Sequence, residues 1–238
     1  MKIWMPTSNG YLWAAEASAK LLHKYWPSHP PVDVCHFEAK PEINLPGFRL
    51  VDLGCERDLP YVARMIEYLE RHNADETVLL CLDDYGLCQP VDGAKIVYAK
   101  ALMHVHPRIA SFALTWQPCQ GKTPWNDKGD ICEFPRWAWA MNTQGGIWRR
   151  EHLLRILRAV PPHLGIWELE RACSDWFNAL MWPQGYRMIG WNCPDPPKPS
   201  DFVDGTDKTL WPCAYHNLAH QGTRDHRHDE FLRKEGLL

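Results

Sequence analysis

The chain has 238 residues, which is enough to bury one sizeable core and too few for two full domains. Hydrophobic residues make up 45% and charged residues 23%, a balance that excludes disorder for most of the length. The formal net charge of −3 provides no overall attraction to a polyanion. Scattered cysteines and the lack of a long apolar run predict a cytoplasmic protein with reduced thiols and no membrane span.

Strands and helices alternate through the first half of the chain. Short apolar or β-branched runs predict strands at 2–5, 32–37, 48–53, 77–82 and 108–116. Apolar residues at helical spacing predict helices at 11–25, 60–69 and 90–103. This alternation indicates an α/β domain with a mostly parallel central sheet and helices on both faces. Ligands of such sheets bind beyond the carboxyl ends of the strands.

The second half adds a long loop, two helices and a tail. Residues 117–136 are rich in Pro, Gly, Lys and Asp and predict a functional loop, and 137–142 is a candidate strand. Helices are expected at 151–160 and 168–181, each ended by a proline. The composition changes near residue 192. We therefore expect one domain at 1–191 and an extended Pro- and His-rich tail at 192–238 that packs on it.

Two adjacent carboxylates, Asp83 and Asp84, follow the buried strand at 77–82. Carboxylate oxygens are the ligands that Mg²⁺ and Mn²⁺ prefer, and such an ion keeps positions open for phosphate oxygens. The bound metal would stabilise negative charge on a departing diphosphate. The alternative is an ordinary turn in which one aspartate bonds to the backbone, and spacing alone does not separate the two interpretations.

A glycine pair and a second pair of carboxylates occur further along. Gly145 and Gly146 permit a close backbone approach and a bend in the chain. Glu168 and Glu170 fall in the first turn of the helix expected near Trp167. The helix dipole alone favours carboxylates there, whereas the functional interpretation is a general base that removes a proton from an acceptor hydroxyl.

The turn after the first strand carries Thr7, Asn9 and Tyr11. Backbone N–H groups and short polar side chains at such a turn are suited to holding the base or ribose of a nucleotide. An ordinary helix N-cap would have the same composition. Among the basic side chains, Arg149 is the candidate to meet a phosphate, and the others are typical of the solvated face of a helix.

Three motifs follow one another in register. They are Asp83-Asp84-Tyr85 after a buried strand, Gln144-x-x-Ile147-Trp148-Arg149, and Trp167-Glu168-x-Glu170. In this order they resemble a family of bacterial and viral glycosyltransferases with a GT-A-like, Rossmann-related fold. Two departures from the family pattern are the unspaced acidic pair and an isoleucine, Ile166, where a proline is expected before the tryptophan.

The resemblance implies a nucleoside-diphosphate sugar as donor and Mn²⁺ or Mg²⁺ as cofactor, with Asp83 and Asp84 in place of the acidic metal-binding motif. It also implies that the segment 144–148, which includes Gln144, Gly145 and Trp148, lines the sugar pocket. Glu168 or Glu170 would then face the reaction centre. Residues 1–191 would form the nucleotide-sugar-binding catalytic domain.

The C-terminal histidines admit three interpretations. In GT-A-like enzymes a histidine near the C-terminus often supplies the third protein ligand of the metal, and His216 stands in the matching segment. A zinc site is the rival, because Cys213, His216 and His220, with Cys193 upstream, have ligand types and spacings that Zn²⁺ accepts. Solvated surface histidines are the third interpretation.

The residues and the resemblance together predict a metal-dependent hexosyl- or pentosyltransferase that acts on a hydroxyl acceptor. Because the family includes viral enzymes, a hydroxymethylated DNA base is one expected acceptor, and a viral protein would lie in the host cytoplasm. Two alternatives stay open. One is a nucleotidyltransferase on a related fold, and the other is a non-catalytic module whose tryptophans bind carbohydrate or nucleic acid and whose tail holds structural zinc.

Overall fold

The computed structural model of the protein describes residues 1–36, 45–54, 60–115, 122–136, 141, 143, 145–192, 215–220, 223–224, 226 and 229–238. For Asn9, 215–217, 219–220 and 223 the described part is the backbone. Of the residues singled out in the sequence, Gln144, Cys193 and Cys213 lie outside the described ranges.

The described strands are, in chain order, Lys2–Thr7 (β1), Val32–His36 (β2), Phe48–Asp52 (β3), Thr77–Leu80 (β4), Tyr85–Leu87 (β5), Ile109–Ala113 (β6), Thr123–Pro124 (β7), Ile131–Glu133 (β8), Gly146–Arg149 (β9), Arg187–Trp191 (β10), Tyr215–Asn217 (β11), Ala219–His220 (β12) and Thr223–Arg224 (β13). The central sheet has the order β3-β2-β1-β4-β9-β6-β10-β8-β7. Its strands run in one direction except β8 and β9, which are antiparallel to their neighbours. The predicted mostly parallel sheet is confirmed.

Helices cover both faces of this sheet, as the sequence predicts. The described helices are Leu12–Tyr25 (α1), Tyr61–Glu67 (α2), Gly93–Val105 (α3), Arg150–Leu157 (α4), Ile166–Trp176 (α5) and Asp229–Lys234 (α6). One core cluster joins α1, α3 and α6 to the sheet, and the other joins α2, α4 and α5 to its opposite face. Within the described ranges, no helix is long and apolar enough to cross a membrane.

Some element boundaries differ from the sequence-based expectation. Pro6 does not end the first strand, which stays paired with β2 as far as Thr7. Strand β4 pairs with β1 only as far as Trp4, so no residue of β4 lies opposite Pro6, and the N–H that proline lacks is not needed there. The predicted loop at 117–136 contains β7 and β8, which extend the sheet at its edge. Strands β9 and β10 were not expected, and both lie within the sheet.

The described part of the C-terminal segment packs on the domain. Strand β11 pairs with β5, directly after the acidic pair. Leu218 is fully buried, and the Tyr25 hydroxyl donates a 2.8 Å hydrogen bond to Glu235 after α6. These contacts bring the C-terminal histidine segment to the edge of the sheet where the parallel strands end.

Candidate active site

The acidic pair lies in a tight turn at the carboxyl end of β4. The Tyr85 N–H donates to the Leu82 carbonyl at 3.3 Å, which closes the turn around Asp83 and Asp84. The Asp83 carbonyl accepts a 2.7 Å hydrogen bond from the Ser18 hydroxyl of α1. Asp83 is only 7% exposed, so its carboxylate faces the interior of this edge and not bulk solvent.

Burial raises the pKa of both carboxyl groups. It raises the pKa of Asp83 to about 8, although a hydrogen bond from the Thr7 hydroxyl acts in the opposite direction and the Asp84 charge adds to the rise. Burial also raises the pKa of Asp84 to about 6. The Asp84 Oδ1 atom is buried, and no described residue makes a hydrogen bond to it. A divalent cation would satisfy this oxygen and neutralise the pair, so the donor set fits Mg²⁺ or Mn²⁺.

The backbone of His216 lies beside this pair. His216 pairs with Gly86 in the β11–β5 ladder, and the Leu218 N–H donates to the Asp84 carbonyl at 2.8 Å. A Cβ on Gly86 would approach the Leu218 and Leu21 side chains to 2.8 and 2.9 Å, so a larger residue there would have to displace them. Among the side chains that the structure describes, no three His, Cys, Asp or Glu residues form a metal cluster.

The segment at the end of β1 contacts the acidic pair through Thr7. Thr7 is buried at the end of β1, and its hydroxyl bonds to Asp83. A short 3-10 turn, Asn9–Tyr11, follows, closed by a 2.9 Å bond from the Tyr11 N–H to the Ser8 carbonyl. Tyr11 is half-buried at the same edge of the sheet. The structure therefore brings this predicted nucleotide-binding turn next to Asp83.

Gly145 lies at the same edge as the acidic pair. The neighbouring Gly146 pairs with Leu80, the last residue of β4, and with Ala113 of β6. Gly145 has φ +40°, and a Cβ there would meet the Thr115 Cγ2 atom at 2.8 Å. Glycine is therefore required at this position for both conformation and space.

Trp148 and Arg149 do not join the acidic pair. Trp148 is 2% exposed and belongs to the core beneath α4 and α5. Arg149 pairs with Thr77, the first residue of β4, and thus lies at the opposite edge of the sheet. Its guanidinium is held there by Glu76 and by the Met103 carbonyl. This position, at the opposite edge from the acidic pair, does not agree with the expected contact between Arg149 and a phosphate.

Glu170 is a buried carboxylate of α5. It lies at the same edge of the sheet, on the face that α2, α4 and α5 cover. Its Oε1 atom accepts hydrogen bonds from the backbone N–H and the hydroxyl of Thr143, at 2.7 and 2.6 Å. Within the described residues, no donor meets Oε2. Burial raises the pKa of Glu170, although the two bonds from Thr143 act in the opposite direction. Thr143 therefore fixes one oxygen of the Glu170 carboxylate.

Glu168 has a different environment. It is exposed at the start of α5, and its carboxylate accepts a 3.1 Å hydrogen bond from the Gly165 N–H. This contact caps the helix, which is the structural role that the helix-start pattern allows. The two carboxylates of the Trp-Glu-x-Glu motif thus divide into a helix cap and a buried group.

Tyr61 is a site residue that sequence reasoning missed. It is the first residue of α2, and burial raises the pKa of its phenol, with further contributions from the charges of Asp83 and Glu170. The phenol is therefore close to both carboxylates. The sequence shows Tyr61 only as the residue after Pro60 at a helix start, and no local pattern separates it from the apolar face of that helix.

Comparison with solved structures identifies the fold. The structure of galactosyltransferase LgtC in complex with donor and acceptor sugar analogs aligns with a TM-score of 0.50 and 11% identity, covering 100% of this chain and 96% of that chain. S. aureus TarS in complex with UDP-GlcNAc aligns with a TM-score of 0.47 and 13% identity, over 86% of this chain and 63% of that chain. No protein-family profile and no curated protein sequence matches the chain. The GT-A-like α/β fold predicted from the sequence is confirmed.

Proposed function

We propose that the protein is a metal-dependent glycosyltransferase that moves a sugar from a nucleoside diphosphate to a hydroxyl acceptor. The observation that carries the proposal is the acidic pair, with Asp83 buried and Asp84 half-buried, in which the Asp84 Oδ1 has no hydrogen-bond partner among the described residues and both carboxyl groups have raised pKa values. The GT-A-like galactosyltransferase was solved with donor and acceptor sugar analogs. We extend these two ligand classes to this chain.

Asp83 and Asp84 would hold Mn²⁺ or Mg²⁺, with His216 as the third protein ligand. The bound ion supplies positive charge that stabilises the departing nucleoside diphosphate. Thr7 orients the Asp83 carboxylate, and the turn that includes Asn9 and Tyr11 would receive the nucleoside. This assignment rests on the convergence of β1, β4 and β11 at one edge of the sheet.

Glu170 would be the general base of a direct displacement. Its Oε2, which accepts no hydrogen bond from a described residue, would take the proton of the acceptor hydroxyl as that oxygen forms a bond to the anomeric carbon and the bond from this carbon to the diphosphate oxygen breaks. Thr143 keeps Oε1 occupied and so presents Oε2. Glu168 is less suited to the role, because it is exposed and engaged with Gly165.

The test is a panel of nucleoside-diphosphate sugars with and without Mn²⁺. We expect metal-dependent release of the nucleoside diphosphate, lost in the double variant Asp83→Asn with Asp84→Asn. Asp75→Asn is the matched control, because Asp75 precedes the same strand at the opposite edge and pairs with the N-terminal amine. Unchanged turnover in the double variant would remove the proposal. Release of pyrophosphate in place of the diphosphate would identify a nucleotidyltransferase.

A hydroxymethylated DNA base is the acceptor that the sequence resemblance suggests. Binding of a protein to DNA weakens steeply with salt when phosphates are contacted. Transfer to hydroxymethylated DNA should therefore be measured at low and high salt with each donor that is hydrolysed. Absence of transfer at low salt would exclude this acceptor without affecting the transferase proposal.

A further inference from the structure

A cavity of about 410 Å³ lies between α1 and the C-terminal segment. Small-molecule sites have volumes of about 300–1,000 Å³, so the cavity is large enough for a ligand of that class. Residues of α1 line one wall, and residues 224–238 line the other. Neither Asp83 nor Asp84 is part of this lining. The cavity is therefore a second candidate site, in addition to the acidic turn.

The α1 wall of the cavity is one face of the helix. Trp13, Glu16 and Lys20 follow one another at spacings of three and four residues, which places their side chains side by side along α1. Ser18, which bonds to the Asp83 carbonyl, is two residues from both Glu16 and Lys20 and therefore points about 200° away from them around the helix. The cavity thus lies on the side of α1 that faces away from the acidic turn.

Both walls contribute apolar side chains to the cavity. Leu232 of α6 and Leu237 line the C-terminal wall, and the Leu237 N–H donates a 2.9 Å hydrogen bond to the Leu232 carbonyl, which folds the chain back after α6. On the α1 wall, the Trp13 side chain is half-buried against the same core cluster. Glu235 accepts hydrogen bonds from Lys24 and Tyr25 of α1 and so holds the two walls together.

The lining also carries an excess of positive charge, with three basic side chains and one acidic side chain. Lys20 is exposed and makes no ion pair within the described ranges. The Arg224 guanidinium lies 3.3 and 3.5 Å from the Asp229 carboxylate, whereas a close arginine–carboxylate pair has contacts of about 2.7–2.9 Å. His226 and Arg233 share the same carboxylate, at 3.2 and 3.7 Å. One carboxylate does not neutralise two arginines, so Arg224 and Lys20 leave positive charge at the cavity.

We propose that this cavity binds a small organic phosphate, with its apolar body against Trp13 and Leu232 and its phosphate between Lys20 and Arg224. The indole offers a large flat apolar surface, and lysine and arginine are the side chains that bind phosphate. A phosphate carries about two negative charges and three acceptor oxygens, which suits two cations on different walls. Nucleotides and lipid phosphates share this chemistry and differ in whether the apolar body is a ring or a chain. The proposal does not depend on the transferase function.

Titration calorimetry of the full chain with hexyl phosphate and naphthyl phosphate tests the site. We expect at least one ester to bind about tenfold or more tightly than inorganic phosphate or hexanol, because only an ester contacts both the apolar and the basic side chains. The tighter ester shows whether the body is a chain, as in a lipid phosphate, or a ring, as in a nucleotide. If neither ester binds, or if inorganic phosphate or hexanol binds equally well, the proposal is wrong.

Two variants on the same face of α1 should act in opposite directions. Lys20→Gln removes a positive charge and should weaken binding of the ester about three- to tenfold. Glu16→Gln removes a negative charge and should strengthen it about two- to threefold. Lys100→Gln is the matched control, because Lys100 is an exposed lysine of α3 that does not line the cavity. Wild-type affinity in Lys20→Gln, or an equal change in Lys100→Gln, would overturn the proposal.

The acidic turn must be excluded as the place where the ester binds. The double variant Asp83→Asn with Asp84→Asn, measured with a chelator present, should bind the ester as the wild type does, because neither aspartate lines the cavity. Binding that requires Mn²⁺, or that is lost in the double variant, would locate the phosphate at the acidic turn and refute the cavity site. Ester binding that persists in a protein without transferase activity would keep this site and count only against the transferase.

Discussion

Replacing Asp83 by asparagine should stabilise the metal-free protein, and the gain should grow with pH. The folded protein binds the Asp83 proton more tightly than the unfolded chain does, because burial raises the pKa from 3.8 to about 8. The stability that this proton contributes is fully present below the unfolded pKa and is lost as the pH rises to about 8. Asparagine has a similar shape and no such proton, so it avoids the loss.

The size of the effect follows from the pKa. Each pH unit within this window changes the free energy of unfolding by about 1.4 kcal/mol per titrating group. The free energy of unfolding of Asp83→Asn should thus exceed that of the wild type by about 3 kcal/mol more at about pH 7 than at about pH 5. For a chain of this size, that corresponds to a rise of about 6–12 °C in the difference between their Tm values.

Thermal unfolding followed by circular dichroism, in buffers with a chelator, measures this difference. Asp75→Asn is the control, because that aspartate lies at the surface at the other end of β4, and its Tm difference should not widen in the same way. Added Mn²⁺ should then raise the Tm of the wild type and leave that of Asp83→Asn unchanged. A Tm difference that is constant or narrows with rising pH would refute the reasoning about Asp83.

Three further predictions concern the metal, the base and the glycine turn. Mn²⁺ must displace the Asp83 proton in order to bind. The affinity of the protein for Mn²⁺, measured by titration calorimetry, should therefore rise about tenfold per pH unit from about pH 6 to about pH 8. An affinity that does not change with pH would contradict this prediction. Glu170→Gln should lower kcat about 10²–10⁴-fold and leave the KM for the donor unchanged. Glu168→Gln is the control, and we expect it to keep kcat and to lower only the Tm. Equal kcat values in the two variants would argue against Glu170 as the base. Gly145→Ala should cost about 1–3 kcal/mol in urea unfolding, because φ is +40° and a neighbouring methyl lies 2.8 Å from the added Cβ. Gly129→Ala, at φ +69° with nothing within 4 Å, should cost less, and the reverse order would exclude the packing argument.

The alternation of strands and helices was readable from the sequence because each element carries its own local pattern. The helix α1 has apolar residues at helical spacing, and β4 is a continuous apolar run. Strand β9 has no such pattern. It is a four-residue segment that begins with glycine, and its place between β4 and β6 depends on partners distant in the chain.

The direction of β9 also explains why one motif divides between two ends of the sheet. Gly145 and Arg149 are four residues apart, and in a loop both could serve one site. Because the segment between them is an antiparallel strand, Gly145 lies beside the carboxyl end of β4 and Arg149 beside its start. Residue types predicted the motif, whereas strand direction, which is not encoded locally, decided where each residue lies.

Thr143 and Tyr61 were missed for a related reason. Each is unremarkable in its own segment, and each matters through a group far away in the sequence: Thr143 through its two bonds to Glu170, and Tyr61 through the charges of Asp83 and Glu170. A sequence pattern identifies carboxylates that stand next to each other. It does not identify the neutral side chains that orient them.

The acidic pair cannot relax towards solvent, because its backbone is held on two sides. The Ser18 hydroxyl bonds to the Asp83 carbonyl, and the Leu218 N–H bonds to the Asp84 carbonyl. The helix α1 and the C-terminal segment thus fix the turn that carries both carboxylates. With the backbone fixed, the cost of burying negative charge is relieved only by a proton or by a cation. The same packing that raises the two pKa values would therefore favour a cation bound at this turn.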